Sequence, residues 1–371
     1  MMNLNPVIPL LYYGAASLLT IASMRLHKPA RILSLGPIWL LSYLSLASTK
    51  YLAWPVGANS TFASLVVFYL PYSVKLLVLD ELDISPELSS TWVTFADLYR
   101  VWNNPRQLPL HCPILGEKAC TRESRANFAL QQVSKAILLW TFDSLVFQTL
   151  LFKAFLHIDI SDFAPDMELP FVMLSWHQLL LRAIVSVQWI WSAYFFLEFC
   201  HRLLAIVFVS MLGFDRPDEW PALFGSPLEA QSIRGFWGRF WHRITIPTYS
   251  YYSLLVCRRL LVLEPKSRLE QTMIPMLIFT MSGLSHSLVG WASGDAALHR
   301  DLVFFEVNFL AAAVETMVKK TKTYSRVKEL LPPLSAVVNR VIGITWVFVF
   351  FFCVTPSWMY PKIYCALSGL L

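Results

Sequence analysis

The chain has 371 residues, of which 56% are hydrophobic and only 15% charged, with a mean hydropathy of +0.53. These values exclude a soluble globular domain and leave a polytopic membrane protein. The formal charge of +6 is spread over several loops, so it reports orientation in a membrane and not nucleic-acid binding, and six scattered cysteines without a CxxC pair predict neither a disulfide framework nor a metal site.

From the amino end, residues 6–24 form an apolar stretch with no preceding positive region and no small-residue cleavage site, which predicts a retained span and not a signal peptide. Further stretches of spanning length occupy 32–48, 61–79, 136–157, 179–212, 271–292, 302–318 and 341–356. Together they predict an all-α polytopic membrane protein of about eight transmembrane helices plus interfacial amphipathic helices, folded as a single domain over 1–371. The stretch at 179–212 is long enough for one tilted helix or for two segments. Segments 80–134 and 213–248 read as cytosolic or interfacial excursions.

With eight spans, Arg25, Lys28 and Arg31, the region 100–125, the region 234–243 and the region 319–328 all fall on one side. Asp159, Asp162, Asp166 and Glu168 fall on the other. The positive-inside rule then puts the basic loops in the cytosol and both termini in the lumen.

The run SPLEAQSIRGFWGRFWHRI at 226–244 predicts one amphipathic helix at the lipid–water boundary. Ser226 is the expected N-cap, Pro227 the first helical residue and Glu229 the capping-box partner. Ile233, Phe236, Trp237, Phe240, Trp241 and Ile244 recur at helical spacing on one stripe, while Gly235, Gly238 and His242 share the opposite side and leave a groove. Arg234, Arg239 and Arg243 lie outside the stripe and would attract anionic lipid.

His286 lies within the apolar segment MIPMLIFTMSGLSHSLVGW, some 15 residues or ~22 Å of helix from Gln271. An ionisable side chain at that depth is costly, and it is expected to face a bundle interior or polar cavity. It either bonds a neighbouring helix or works as a general base, with Ser282 and Gly283 on its own face. A neutral imidazole there can take the proton from a hydroxyl as its oxygen attacks a thioester. His27, His111, His157 and His299 lie at span ends or in loops, and His177 and His201 read as interfacial or packed. No HxxxH or HExxH pair occurs, the run Gly283-Leu284-Ser285-His286-Ser287 ends in serine where a nucleophile elbow needs glycine, and no HxxxD is present.

Three runs, DEWPALFG at 218–225, SIRGFWGRFWHRI at 232–244 and FTMSGLSHSLVGW at 279–291, resemble the wax synthase-like branch of the membrane-bound O-acyltransferases. The block departs from that pattern mainly at Phe240, where a second arginine is common. The stretch LYRVWNNPR at 98–106 is similar to one in fungal members that acetylate terpenoid and meroterpenoid alcohols. The resemblance implies an acyl-CoA:alcohol O-acyltransferase of the endoplasmic reticulum in which His286 is the embedded catalytic histidine. His242 then orients substrate or stabilises the oxyanion, and Arg234, Trp237, Gly238, Arg239, Trp241 and Ser282 shape the acyl-CoA and substrate site. It implies acetyl-CoA as co-substrate with no bound cofactor, a lipophilic terpenoid-type alcohol as acceptor, contact with membrane lipid, and no nucleic-acid partner; pairing of protomers stays open. Long-chain wax or sterol ester synthesis is the alternative acyl transfer, and a non-enzymatic transporter or lipid-binding scaffold the alternative of another class.

Overall fold

The computed structural model describes residues 5–52, 58–80, 95–108, 122–155, 158–169, 174–295, 297–321 and 336–369. In chain order its helices are α1 (Ile8–Ser23), α2 (Lys28–Ala47), α3 (Ala58–Val74), α4 (Phe95–Trp102), α5 (Arg122–Phe142), α6 (Trp176–Ala205), α7 (Ile233–Gly235), α8 (Ile246–Leu255), α9 (Arg268–Ala292), α10 (His299–Lys319) and α11 (Ala336–Ser368). Wider π-helical turns extend α3, α5, α6, α7 and α8. No strand occurs among the described residues, so the all-α reading holds.

Among the described residues, six helical stretches are long and apolar enough to cross a membrane: Asn5–Ser23, Lys28–Tyr51, Asn59–Leu79, Trp176–Met211, Arg268–Ala292 and Val337–Ser368. The predicted segment 179–212 is one continuous helix and not two. The remaining two predicted spans, 136–157 and 302–318, fall in α5 with its π extension and in α10. Both are helical over their described residues, and α10 carries Asp301, Glu306 and Glu315, which keeps it outside the apolar set. Helix starts are specified locally: the Ser175 hydroxyl accepts from Gln178 N at the head of α6, and Ser267 accepts from Glu270 N at the head of α9.

The described chain forms two compact units, one of Met1–Leu110 with Ile244–Phe305 and one of His111–Arg243 with Glu306–Leu371. In the first, α1, α2, α3, α4 and α8 enclose a core that includes Ile38, Phe68, Tyr72, Leu98 and Tyr249. Lys75 is buried there, paired with Asp80 Oδ2 at 2.7 Å and lying 5.3 Å over the Tyr251 ring, so the charge is compensated twice. The sequence places 98–106 within an interfacial excursion, but Leu98 and Tyr99 are buried in this unit. The Tyr72 hydroxyl donates to the carbonyls of Val101 and Trp102, at 3.2 and 2.9 Å. Apolar side chains at 98 and 99 gain more from that core than from an interface. Residues 81–94 and 109–121 of the expected excursion, with His111 and His157, lie outside the described residues, as do 322–328 of the last basic loop.

In the second unit α6 packs against α5 and α11. Arg182 is wholly buried on it, donates to the carbonyls of Met167 and Leu169, and lies 5.9 Å over the Tyr360 ring of α11. Two turns further along, Trp189 meets Phe236, Trp241, Phe351 and Trp358 at ring-centroid distances of 5.2–6.1 Å.

Candidate active site

The approach segment 218–225 is held by one buried carboxylate. Glu198 of α6 is 1% exposed; its Oε1 accepts from Leu223 N at 2.8 Å and Phe224 N at 3.2 Å, and its Oε2 pairs with Arg202 at 2.8 Å. Satisfying both oxygens removes most of the cost of burying the charge. Gly225 then delivers the chain to the Trp-rich block, its N donating to Phe240 O at 2.8 Å, and a Cβ there would stand 2.1 Å from the Arg239 carbonyl oxygen. No residue but glycine fits that approach.

The block is not the single interfacial helix expected over 226–244. It breaks into a 3₁₀ turn Pro227–Glu229, the short α7 and a π-helix Phe236–Phe240, and Trp241 is extended. Ser226 does cap, accepting from Leu228 N, but Glu229 closes no capping box; it pairs instead with Arg239 at 3.2 Å. A second cap forms at Ser232, whose hydroxyl accepts from Gly235 N at 2.9 Å. The Glu315 carboxylate of α10 accepts from Ile233 N at 2.9 Å and Arg234 N at 3.3 Å, taking up donors that a helix start leaves open. Trp346 Nε1 donates to the same Glu315 carboxylate.

The apolar stripe packs on protein and not on lipid: Ile233, Phe236 and Phe240 are buried, with Phe236 4.8 Å from the Phe351 ring and 5.3 Å from Trp241. The π turn changes the angular spacing, so the expected strip of Gly235, Gly238 and His242 does not form. Gly235 is buried, with Glu229 O 2.7 Å from where its Cβ would be; Gly238 is exposed, with nothing within 4 Å of its Cβ position. His242 lies beyond the helical turn, its Nδ1 buried and its ring 5.5 Å from both Phe224 and Trp241. Arg234, Arg239 and Arg243 are all exposed. Trp237 donates from Nε1 to Asn308 Oδ1 of α10 at 2.9 Å.

His286 stands in the first unit, on α9, six residues before the helix ends. At about 100° per residue the side chains of α9 fall into four strips. Leu284, Leu288 and Trp291 are exposed along one. Ser285 and Val289 pack on a second, Ser285 against Tyr249 of α8 and Val289 in the cluster with Leu46, Ala63 and Val66. Gly283, which the sequence puts on the His286 face, packs instead with Ser287 and Gly290 on a third, against Leu302, Leu298 and Asp295. Phe279, Ser282 and His286 occupy the fourth, roughly opposite the leucines and walled on both sides by packed faces. The imidazole is exposed, so the expectation of an enclosed histidine is corrected: its strip is walled but not roofed. Its ring lies 5.0 Å from Phe305, nearly parallel at 21°. The Ser282 hydroxyl donates to Ile278 O at 2.9 Å, which leaves its oxygen as an acceptor only.

Of the other histidines, His177 Nε2 lies 3.1 Å from Asp162 Oδ2, and His201 Nε2 donates to Pro221 O at 3.1 Å beside Trp220, so both are held by local contacts. Glu198, Asn308, Glu315 and Tyr249 are absent from the residues that the sequence nominates. The first three are polar groups inside apolar stretches, a signal that already marks them as costly and therefore partnered. Tyr249 carries no such signal, since tyrosine is common in membrane helices.

Helices throughout the described residues, six of them able to cross a membrane, with a Trp- and Arg-rich block upstream of a histidine in one of those six, define a polytopic membrane protein. Residues 220–307, which hold His242 and His286, match the model of the Membrane bound O-acyl transferase family. The chain is similar to the acetyltransferase nanB of Aspergillus nanangensis, 32% identical over 161 residues that cover 43% of this chain and 38% of that one. It is also similar to the acetyltransferase atnC of an Arthrinium species, 27% identical over 64% of this chain and 54% of the relative. The acetyltransferase TRI7 of Fusarium sporotrichioides is 29% identical over 47% and 40%. The matches thus span between 38% and 54% of these relatives' own lengths. No solved structure matches the chain.

Proposed function

We propose that the protein is an acyl-CoA-dependent O-acyltransferase of the endoplasmic reticulum that transfers acetyl to a hydroxyl of a lipophilic, terpenoid-type secondary metabolite. The observation that carries this reading is His286: an exposed imidazole in a spanning helix, on a walled strip away from the leucine face, inside the segment that matches the family. The acetyltransferases it is similar to support acetyl as the group, and the resemblance of 98–106 supports a terpenoid-type acceptor.

In this mechanism His286 accepts the proton of the acceptor alcohol while the alcohol oxygen forms its bond to the thioester carbonyl carbon. The carbon–sulfur bond breaks, the proton passes to the departing thiolate, and ester and free CoA leave. An apolar wall that includes Phe305 suits a greasy alcohol arriving from the bilayer. The exposed Arg234, Arg239 and Arg243 are the groups for the CoA phosphates, and His242 keeps the orienting or oxyanion role that the resemblance implies.

The test uses microsomes expressing the full chain, labelled acetyl-CoA or palmitoyl-CoA, and a panel of hydroxylated terpenoids and sterols. Labelled ester and equimolar free CoA should appear with acetyl-CoA only when a terpenoid alcohol is present, and His286→Ala should lower the rate by ~10² or more. Full activity in H286A would remove the assigned base, and preference for palmitoyl-CoA with a sterol would replace the acetyl reading.

A further inference from the structure

The serine immediately before His286 bonds differently from most hydroxyl side chains of α9. Thr272, Thr280 and Ser282 each donate to the carbonyl four residues back on the same helix, at 2.9–3.0 Å. Ser285 Oγ instead shares a hydrogen bond of 2.6 Å with Tyr249 Oη of α8. Ser287 does both, reaching Gly283 O at 3.0 Å and Leu298 O, off the helix, at 2.7 Å.

At about 100° per residue, Ser285 and Ser287 stand one on each side of His286, so the two off-helix bonds oppose each other across the imidazole. Gly283 adds a third constraint. A Cβ there would lie 2.9 Å from Leu302 Cα, so α9 and α10 meet backbone to backbone at the turn before His286. Tyr249 is itself fixed: it is 2% exposed and meets the Phe68 ring edge-on at 6.1 Å. The imidazole lies roughly 6 Å from the helix axis, so a rotation of α9 by about 20° would carry it about 2 Å. An error of about 1 Å at a reacting group costs on the order of 10² in rate.

We propose that Tyr249 and Ser285 are positioning residues, which set the rotation of α9 and thereby hold His286 on its open strip. This rests on the reading of His286 as the base. Y249F and S285A should each lower kcat about 10–100-fold while KM for acetyl-CoA stays within about twofold. The double variant should be no worse than the more severe single one, because both remove the same bond, and S285T should recover at least about half of the rate. A second readout needs no turnover. In the full-length protein bearing H286C, the rate of thiol modification by a methanethiosulfonate, corrected for the same chain without H286C, should change about threefold or more when Y249F is added.

Wild-type kcat in Y249F or S285A, additive losses in the double variant, or a labelling rate unmoved by Y249F would overturn the positioning role. Full activity in H286A would instead overturn the base assignment, and the labelling rates would still decide whether Tyr249 sets the rotation of α9.

Discussion

Trp237 and Asn308 are joined by a hydrogen bond, indole Nε1 to amide Oδ1 at 2.9 Å, and Asn308 is wholly buried. The tryptophan expected to shape a ligand site is thereby anchored to α10 by its polar edge, while its ring packs 5.1 Å from Phe236 and 5.4 Å from Trp241. Asn308→Leu leaves the indole N–H without its acceptor and should cost about 1–3 kcal/mol. The check is a thermal melt of the purified protein in detergent, with N308D, which keeps an acceptor oxygen, losing less than N308L.

Glu198 binds two backbone N–H groups and Arg202 from a position that is 1% exposed. Removing it takes the carboxylate from a largely buried guanidinium as well as from the two backbone donors, so E198A should destabilise by about 3–5 kcal/mol. The melt should fall accordingly, and proteolysis should newly cut near 220–225. An E198A protein with unchanged melting and proteolysis would contradict the anchoring role.

Gly283 and Gly238 should respond in opposite ways. At 283 an added methyl meets the Leu302 backbone, so G283A should cost about 1–3 kcal/mol by forcing α9 from α10. Thermal melts and the rate of ester formation should both fall.

At 238 nothing lies within 4 Å of the Cβ position. G238A should therefore leave the melt unchanged or raise it by up to about 1 kcal/mol equivalent, since alanine favours the helical turn. A rise in KM for acetyl-CoA against that unchanged fold would assign the bare surface at 238 to the ligand. An unchanged KM would remove Gly238 from the site.

Arg239 pairs with Glu229 at 3.2 Å, with both side chains largely exposed, so R239A should change stability by no more than about 1 kcal/mol. Its effect should appear in the donor: KM for acetyl-CoA should rise, and the rise should shrink at high salt as the phosphates are screened.

Much of the organisation is legible without coordinates. The spans at 6–24, 32–48, 61–79, 179–212, 271–292 and 341–356 all coincide with helical stretches able to cross a membrane, because about 20 apolar residues have few other stable states in or out of a bilayer. His286 is legible as an ionisable group in such a helix, and the Trp-rich block as a distinctive run. The block's shape is not. Helical periodicity assumes about 3.6 residues per turn, and the π turn at Phe236–Phe240 breaks that assumption while Glu315 and Asn308, distant in sequence, select the geometry.

Hydropathy and local residue spacing alone determined that this chain is a helical membrane protein and that His286 lies within a span, since both follow from the cost of exposing polar groups to lipid. Only the tertiary structure decided that the aromatic stripe of the block is buried in protein, and that His286 opens on a strip walled by Tyr249 and Ser285 on one side and Gly283 and Leu302 on the other. Those outcomes depend on partners brought together from far along the chain, and packing selects among faces that periodicity leaves equivalent.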